Sequence, residues 1–78
     1  MKLPRGVSAD RLIRILEQLG YVVIRQKGSH VRLRHPGPPV HFVTVPHHNP
    51  LKTGTLHGIL IDVAAMRGIS LDDMATLL

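Results

Sequence analysis

The stretch Lys27-Gly28-Ser29-His30-Val31-Arg32-Leu33-Arg34 decides how the whole chain is read. Gly28-Ser29 makes a tight turn, because glycine supplies backbone angles that other residues resist and serine can hydrogen-bond its own backbone. From His30 onward the residues alternate: His30, Arg32 and Arg34 share one parity, Val31 and Leu33 the other. Successive side chains of a β-strand point to opposite faces. A strand starting at His30 therefore buries Val31 and Leu33 and presents an imidazole and two guanidiniums on its other face. An imidazole titrates near neutral pH, at roughly 6.5 when unperturbed, and planar, permanently charged guanidiniums suit phosphate. A proton-transfer group flanked by phosphate binders is the equipment that RNA cleavage needs.

Upstream, Tyr21-Val22-Val23-Ile24-Arg25-Gln26-Lys27 is rich in aromatic and β-branched residues and reads as a strand. The turn at Gly28-Ser29 then joins two strands into a hairpin. Downstream, Pro36-Gly37-Pro38-Pro39 cannot continue a ladder and is a loop. Val40-His41-Phe42-Val43-Thr44-Val45 is a third strand, closed by Pro46, and an antiparallel meander is the simplest topology. Pro46-His47-His48-Asn49-Pro50 is a second loop, restricted by two prolines, so its histidines are expected to be held in place.

Helices flank these strands. Ser8 caps a helix whose apolar stripe is Leu12, Leu16 and Leu19, widened by Ile13 and Ile15, and which ends at Gly20. Arg11 and Arg14 lie on its polar side, where they are either a solvated face or an RNA contact. A second helix starts at Thr53-Gly54-Thr55 with either threonine as its cap. It carries Leu56, Ile59, Leu60, Val63, Ala64 and Met66 on one side and stops at Gly68. Ser70-Leu71-Asp72-Asp73 resembles a capping box and leads a short last helix with Leu71, Met74, Leu77 and Leu78. The order α-β-β-β-α plus a C-terminal helix predicts a two-layer α+β sandwich.

Length and composition bound the function. Seventy-eight residues are expected to form a single domain, 1–78, with a modest core. Without cysteine there is no disulfide or thiolate zinc site, which fits a reducing cytoplasm. The start, Met1-Lys2-Leu3-Pro4-Arg5-Gly6, lacks the apolar region of a signal peptide, and no run approaches the roughly 18 apolar residues of a membrane span. A net charge of +5, with six histidines besides, points to an anionic partner. Only Tyr21 and Phe42 are aromatic, which argues against base stacking on aromatic platforms.

The histidines show no recognised metal-ligand spacing, and no cysteine or acidic cluster supports them, so neither a metal nor another cofactor is expected. Ser8, Ser29 and Ser70 all have cap or turn explanations, so no Ser-His-Asp set is legible. His48, beside the rigid Pro46, is a candidate second imidazole; the alternative is a loop residue capping backbone groups.

Lys27-Gly28-Ser29-His30, Arg34-His35-Pro36, Val43-Thr44-Val45-Pro46-His47-His48 and Gly54-Thr55-Leu56 with Ile59-Leu60 together resemble the HicA (YcfA) family of bacterial mRNA interferase toxins. The resemblance runs from the first helix to Gly68. It implies a double-stranded-RNA-binding-domain-like fold and the role of toxin in a toxin–antitoxin pair, cutting mRNA and blocking translation. It further implies a HicB-like antitoxin that binds the toxin and occludes its active site. The family's catalytic histidine falls on His30 and its P-x-H histidine on His48. Three departures stand out: a proline-rich loop between the second and third strands, His57 where the family usually has Lys or Arg, and the helix after Ser70.

The two lines of reading meet in one mechanism. A ribonuclease without metal needs a base for the ribose 2′-OH, cations for the phosphate and an acid for the leaving 5′-oxygen. His30 is the candidate base. Lys27, Arg32, Arg34 and Lys52 are candidate phosphate contacts, with Ser29 grouped among the RNA-binding residues. His48 or water is the candidate acid. A non-catalytic RNA-binding module of the same fold is the alternative, and a small histidine-based metal binder is a third. The expected partners are mRNA and a HicB-like antitoxin, with no membrane and no small-molecule cofactor, in the cytoplasm.

Overall fold

The alternation from His30 to Arg34 is realised in the central strand of a three-stranded sheet. The structure is a computed structural model that describes residues 6–78. The leading segment Met1–Arg5 lies outside the described residues. The elements are α1 (Ala9–Gln18), β1 (Val22–Lys27), β2 (His30–His35), β3 (His41–Pro46), α2 (Thr53–Arg67) and α3 (Leu71–Thr76). The strands follow one another as an antiparallel meander in the order β1-β2-β3. Helices cover one face only, giving the two-layer α+β architecture of a double-stranded-RNA-binding-domain-like fold. Among the described residues no helix is long and apolar enough to cross a membrane.

The pleat sorts the two faces. Val31 and Leu33 of β2 and His41, Val43 and Val45 of β3 are buried on the helix side. Val31, Leu33, Val43 and Val45 meet Leu12 and Leu16 of α1, Leu56, Leu60 and Val63 of α2, and Met74 of α3 in one apolar cluster. β1 departs from this pattern. All six of its residues are exposed, because it is a sheet edge and because its pairing with β2 slips between Val23 and Arg25. Ile24 is left in that bulge, and the parity of the strand changes there.

The helix ends follow local chemistry. Ser8 Oγ accepts the Arg11 N–H at 3.1 Å, and Ser70 Oγ accepts that of Asp73 at the same distance. α2 differs from the sequence expectation. Lys52, not a threonine, occupies its N-cap and offers no side-chain hydrogen bond. The reason lies one residue earlier. Leu51 is buried and its N–H bonds the Val7 carbonyl at 2.8 Å, so the chain turns there and Thr53 and Thr55 already stand inside the helix.

Gly20 closes α1 at φ +100°, and a Cβ on it would meet the His35 ring at 2.8 Å. Gly28 also has positive φ, +56°, but its surroundings are open. Gly20→Ala is therefore expected to destabilise the fold by about 1–3 kcal/mol, more than Gly28→Ala. Urea unfolding of the two variants against wild type checks the order.

Candidate functional site

The outward face of the sheet is built as three rows across the strands. Val22, Arg34 and Phe42 form one row, Arg25, Arg32 and Thr44 the next, and Lys27, His30 and Pro46 the third. All but the half-buried Pro46 are exposed. The second row sets two guanidinium-bearing residues directly opposite each other, an arrangement that opposes sheet pairing. Arg32 relieves it by leaning the other way. Its Nη1 donates to Thr44 Oγ1 at 3.2 Å, and its guanidinium carbon lies 4.8 Å from the centre of the Phe42 ring. Five cationic or titratable side chains, Arg25, Lys27, His30, Arg32 and Arg34, thus share one uncovered face.

His30 stands at the start of β2, directly after the turn. Gly28 takes the first central position of that turn with positive φ, as two-residue hairpin loops favour. The ladder sets Lys27 on one side of His30 and Pro46 on the other, so the loop after β3 begins beside it. That loop is fastened from both directions. The His47 N–H donates to the Ser29 carbonyl, and the His47 Nε2 pairs with Asp10 Oδ1 of α1 at 2.8 Å. The Ala9 N–H is shared between the His48 carbonyl at 3.2 Å and Asn49 Oδ1 at 3.0 Å. The expectation that this loop is held is met through its backbone and His47. The side chain of His48 is exposed. Lys52 follows in the same loop and is exposed at the start of α2, and Ser29 is exposed at the turn tip. The structure thus gathers His30, Ser29, Lys27 and the 47–52 loop at one end of the molecule. Arg32 and Arg34 run from there along β2.

Two groupings were not read from the sequence. One is the pairing of His47 with Asp10. The other is a polar clamp at the far end of β2, roughly 17 Å from His30 at about 3.3 Å per strand residue. There the Tyr21 hydroxyl lies 2.6 Å from His41 Nδ1, and His41 Nε2 lies 3.0 Å from Asp62 Oδ2. The carboxylate can only accept, so Nε2 carries a proton. Burial pushes the Tyr21 phenol above its ordinary range, against the opposing pull of the Arg67 charge, and its hydroxyl shares a hydrogen bond with Nδ1. His35 packs edge-on against the same ring, with centroids 5.0 Å apart. Its Nδ1 accepts from the Gly37 N–H at 2.9 Å, and its Nε2–H donates to the Leu19 carbonyl at 3.1 Å. Arg67 of α2 lies against the His35 ring and donates to the Pro39 carbonyl. One signal was available beforehand: His41 shares the parity of Val43 and Val45, and a histidine on a buried face needs partners.

The site is without a ready-made metal cage. Among the described residues no three of His, Cys, Asp and Glu stand together as a metal-binding group.

Tyr21→Phe should expose the strength of the clamp. Removing the hydroxyl leaves His41 Nδ1 buried without its hydrogen-bond partner, an expected loss of about 1–3 kcal/mol. The wild-type phenol, with its raised pKa, contributes stability that is fully present below the ordinary value of 10.0 and is lost as pH climbs through the higher folded value. Urea unfolding from neutral to strongly alkaline pH should therefore show a decline in wild type that Tyr21→Phe lacks.

Comparison with known proteins places the chain in a family. The family described as the HicA toxin of bacterial toxin–antitoxin systems matches residues 9–64, from the first residue of α1 to Ala64 in α2. Neither a curated protein nor a solved structure matches the chain. With well over half of its length inside the family's pattern, the chain belongs to the HicA toxin family of bacterial toxin–antitoxin systems.

Proposed function

We propose that this toxin is a metal-independent endoribonuclease that cleaves mRNA, and so blocks translation, with His30 as its catalytic base. The observation that carries the reading is the outward face of β2. An exposed imidazole stands beside Lys27 at the end of a strand whose next two outward residues, Arg32 and Arg34, carry guanidiniums of the kind that suit phosphate.

The chemistry follows from that placement. His30 takes the proton of a ribose 2′-OH, and the freed oxygen attacks the neighbouring phosphorus. Arg32, Arg34 and Lys27 hold the phosphate and stabilise the charge that grows on its oxygens. The bond to the 5′-oxygen breaks, and that oxygen takes a proton from a second acid. His48, exposed on the pinned loop beside His30, is the candidate for that role, with water as the alternative donor. The products carry a 2′,3′-cyclic phosphate and a 5′-OH, and DNA, which lacks the nucleophile, is left intact. Lys52 and Ser29 extend the contact to the RNA backbone beyond the scissile bond. The protein acts as one domain, in the cytoplasm where mRNA is translated. A HicB-like antitoxin silences it by covering His30 and competing with RNA.

Three measurements test this. His30→Ala should lower cleavage by about 10²-fold or more while circular dichroism and melting stay unchanged, since His30 is exposed and adds nothing to the core. A folded His30→Ala that cleaves like wild type sinks the mechanism. EDTA should leave wild-type cleavage intact; binding without cleavage in either condition supports a non-catalytic RNA-binding module instead. Finally, Arg32→Ala and Arg34→Ala should each weaken RNA binding and flatten the plot of log affinity against log salt by about 0.7–0.9. Slopes equal to wild type would place the RNA on another face.

A further inference from the structure

We propose that the free edge of β1 is a docking strand. It receives a segment of the antitoxin as an added β-strand, apolar where it lies against Val22 and Ile24 and acidic where it lies against Arg25 and Lys27. The proposal rests on the toxin–antitoxin reading and deepens it by naming where, and with what chemistry, the partner attaches.

The first observation is the composition of the edge. Val22, Val23 and Ile24 are consecutive aliphatics that remain 59%, 39% and 49% exposed. Among the described residues the strand pairs with β2 alone, so its other side carries a row of backbone groups with no strand to bond. In a chain with so small a core, leaving three adjacent β-branched residues in water is a loss that folding does not require. Aliphatic side chains give RNA neither charge nor a stacking surface, so they do not extend the phosphate-binding face. They match a protein strand, which bonds along the edge through its main chain and selects it through alternate side chains.

The second observation decides which protein. A second copy of this chain fits badly, and simple register shows why. Antiparallel pairing of β1 with itself, centred between Ile24 and Arg25, sets Val22 against Lys27 and Ile24 against Arg25. Centring on Gln26 sets Arg25 against Lys27, like charge on like. Centring on Val23 leaves only Val22, Val23 and Ile24 to pair. The bulge at Ile24 further twists the edge away from a flat copy of itself. The same cations that repel a copy attract an acidic strand. The edge thus favours a partner of opposite charge over a second copy.

The placement also explains how docking could inhibit. β1 lies next to β2, and its last residue, Lys27, is paired with His30. A partner seated on this edge needs to reach only one strand further to cover the imidazole.

The test uses the purified full-length toxin and the antitoxin encoded with it. Amide hydrogen exchange of the complex should show residues 22–27 exchanging markedly more slowly than in the free toxin. Val22→Thr combined with Ile24→Thr keeps β-branched side chains and removes apolar surface outside the phosphate-binding residues. It should weaken antitoxin binding by about tenfold or more, while the free variant still cleaves RNA like wild type. Unchanged exchange along 22–27 in the wild-type complex overturns the proposal, whatever the variant does. Antitoxin affinity equal to wild type in a folded variant overturns it too. So does protection of β1 in concentrated toxin alone, since a second copy would then hold the edge. Cleavage by the free toxin is scored separately. A toxin that cleaves but is not bound along β1 disproves only the docking strand. One that is bound there without cleaving RNA supports the docking strand and disproves the ribonuclease reading.

Discussion

One six-residue strand has to satisfy two demands at once, and the rest of the structure is arranged around that constraint. Among the described residues β2 is the only strand with neighbours on both sides. Its inward residues, Val31 and Leu33, must fill the centre of a small core, while its outward residues, His30, Arg32 and Arg34, carry the cationic face. The pleat makes this possible because it separates the two sets completely. It also makes the strand intolerant of slippage, since a shift of one residue would bury the arginines and expose the core. The devices found at both ends of β2 hold its register. A two-residue turn fixes one end, and the clamp of Tyr21, His35, His41 and Arg67 fixes the other.

The outward rows are poor for stability, and that is informative. Arg25 opposite Arg32, with Lys27 and Arg34 nearby, adds repulsion and no buried area. The lean of Arg32 onto Phe42 and Thr44 only lessens it. Among the described acids, Asp10 turns to His47 and Asp62 to His41, both on the helix side. The sheet's open face is left positive. Such a face is best relieved by a polyanion that brings the missing charge, and the sparse aromatic content argues that this anion is gripped by its backbone and not by its bases.

Much of this was legible in the sequence, for a specific reason. Where local pattern and tertiary structure ask for the same thing, as in β2, β3 and the serine-capped helices, alternation and capping chemistry gave the right element and the right face. Reading failed where distant residues settled the matter. The cap of α2 was assigned to threonine, but Leu51 docking against Val7 starts the helix earlier. The exposure of β1 followed from its place at the sheet edge and from a bulge that no local signal marks. The Tyr21–His41–Asp62 chain joins residues about twenty positions apart at each step, and a single sequence does not reveal such pairings. The two loop histidines show both outcomes side by side. His48 was singled out from its proline neighbour, while His47, one residue before it, is the one whose ring is held by a carboxylate.

The two ends of the molecule do different work, and the division bears on how a chain this short can hold a site. It has no disulfide to stiffen it, and its core is limited by its length. The clamp end compensates by tying α1, the 36–40 loop, β2, β3 and α2 together through directional hydrogen bonds. The opposite end can then be more open: a turn tip, an exposed imidazole and a loop pinned mainly by backbone bonds. Because β2 runs unbroken between the two, rigidity built around Tyr21 is carried to His30 through the strand itself. On the proposed reading, positioning of His30 then depends on residues that never approach the RNA.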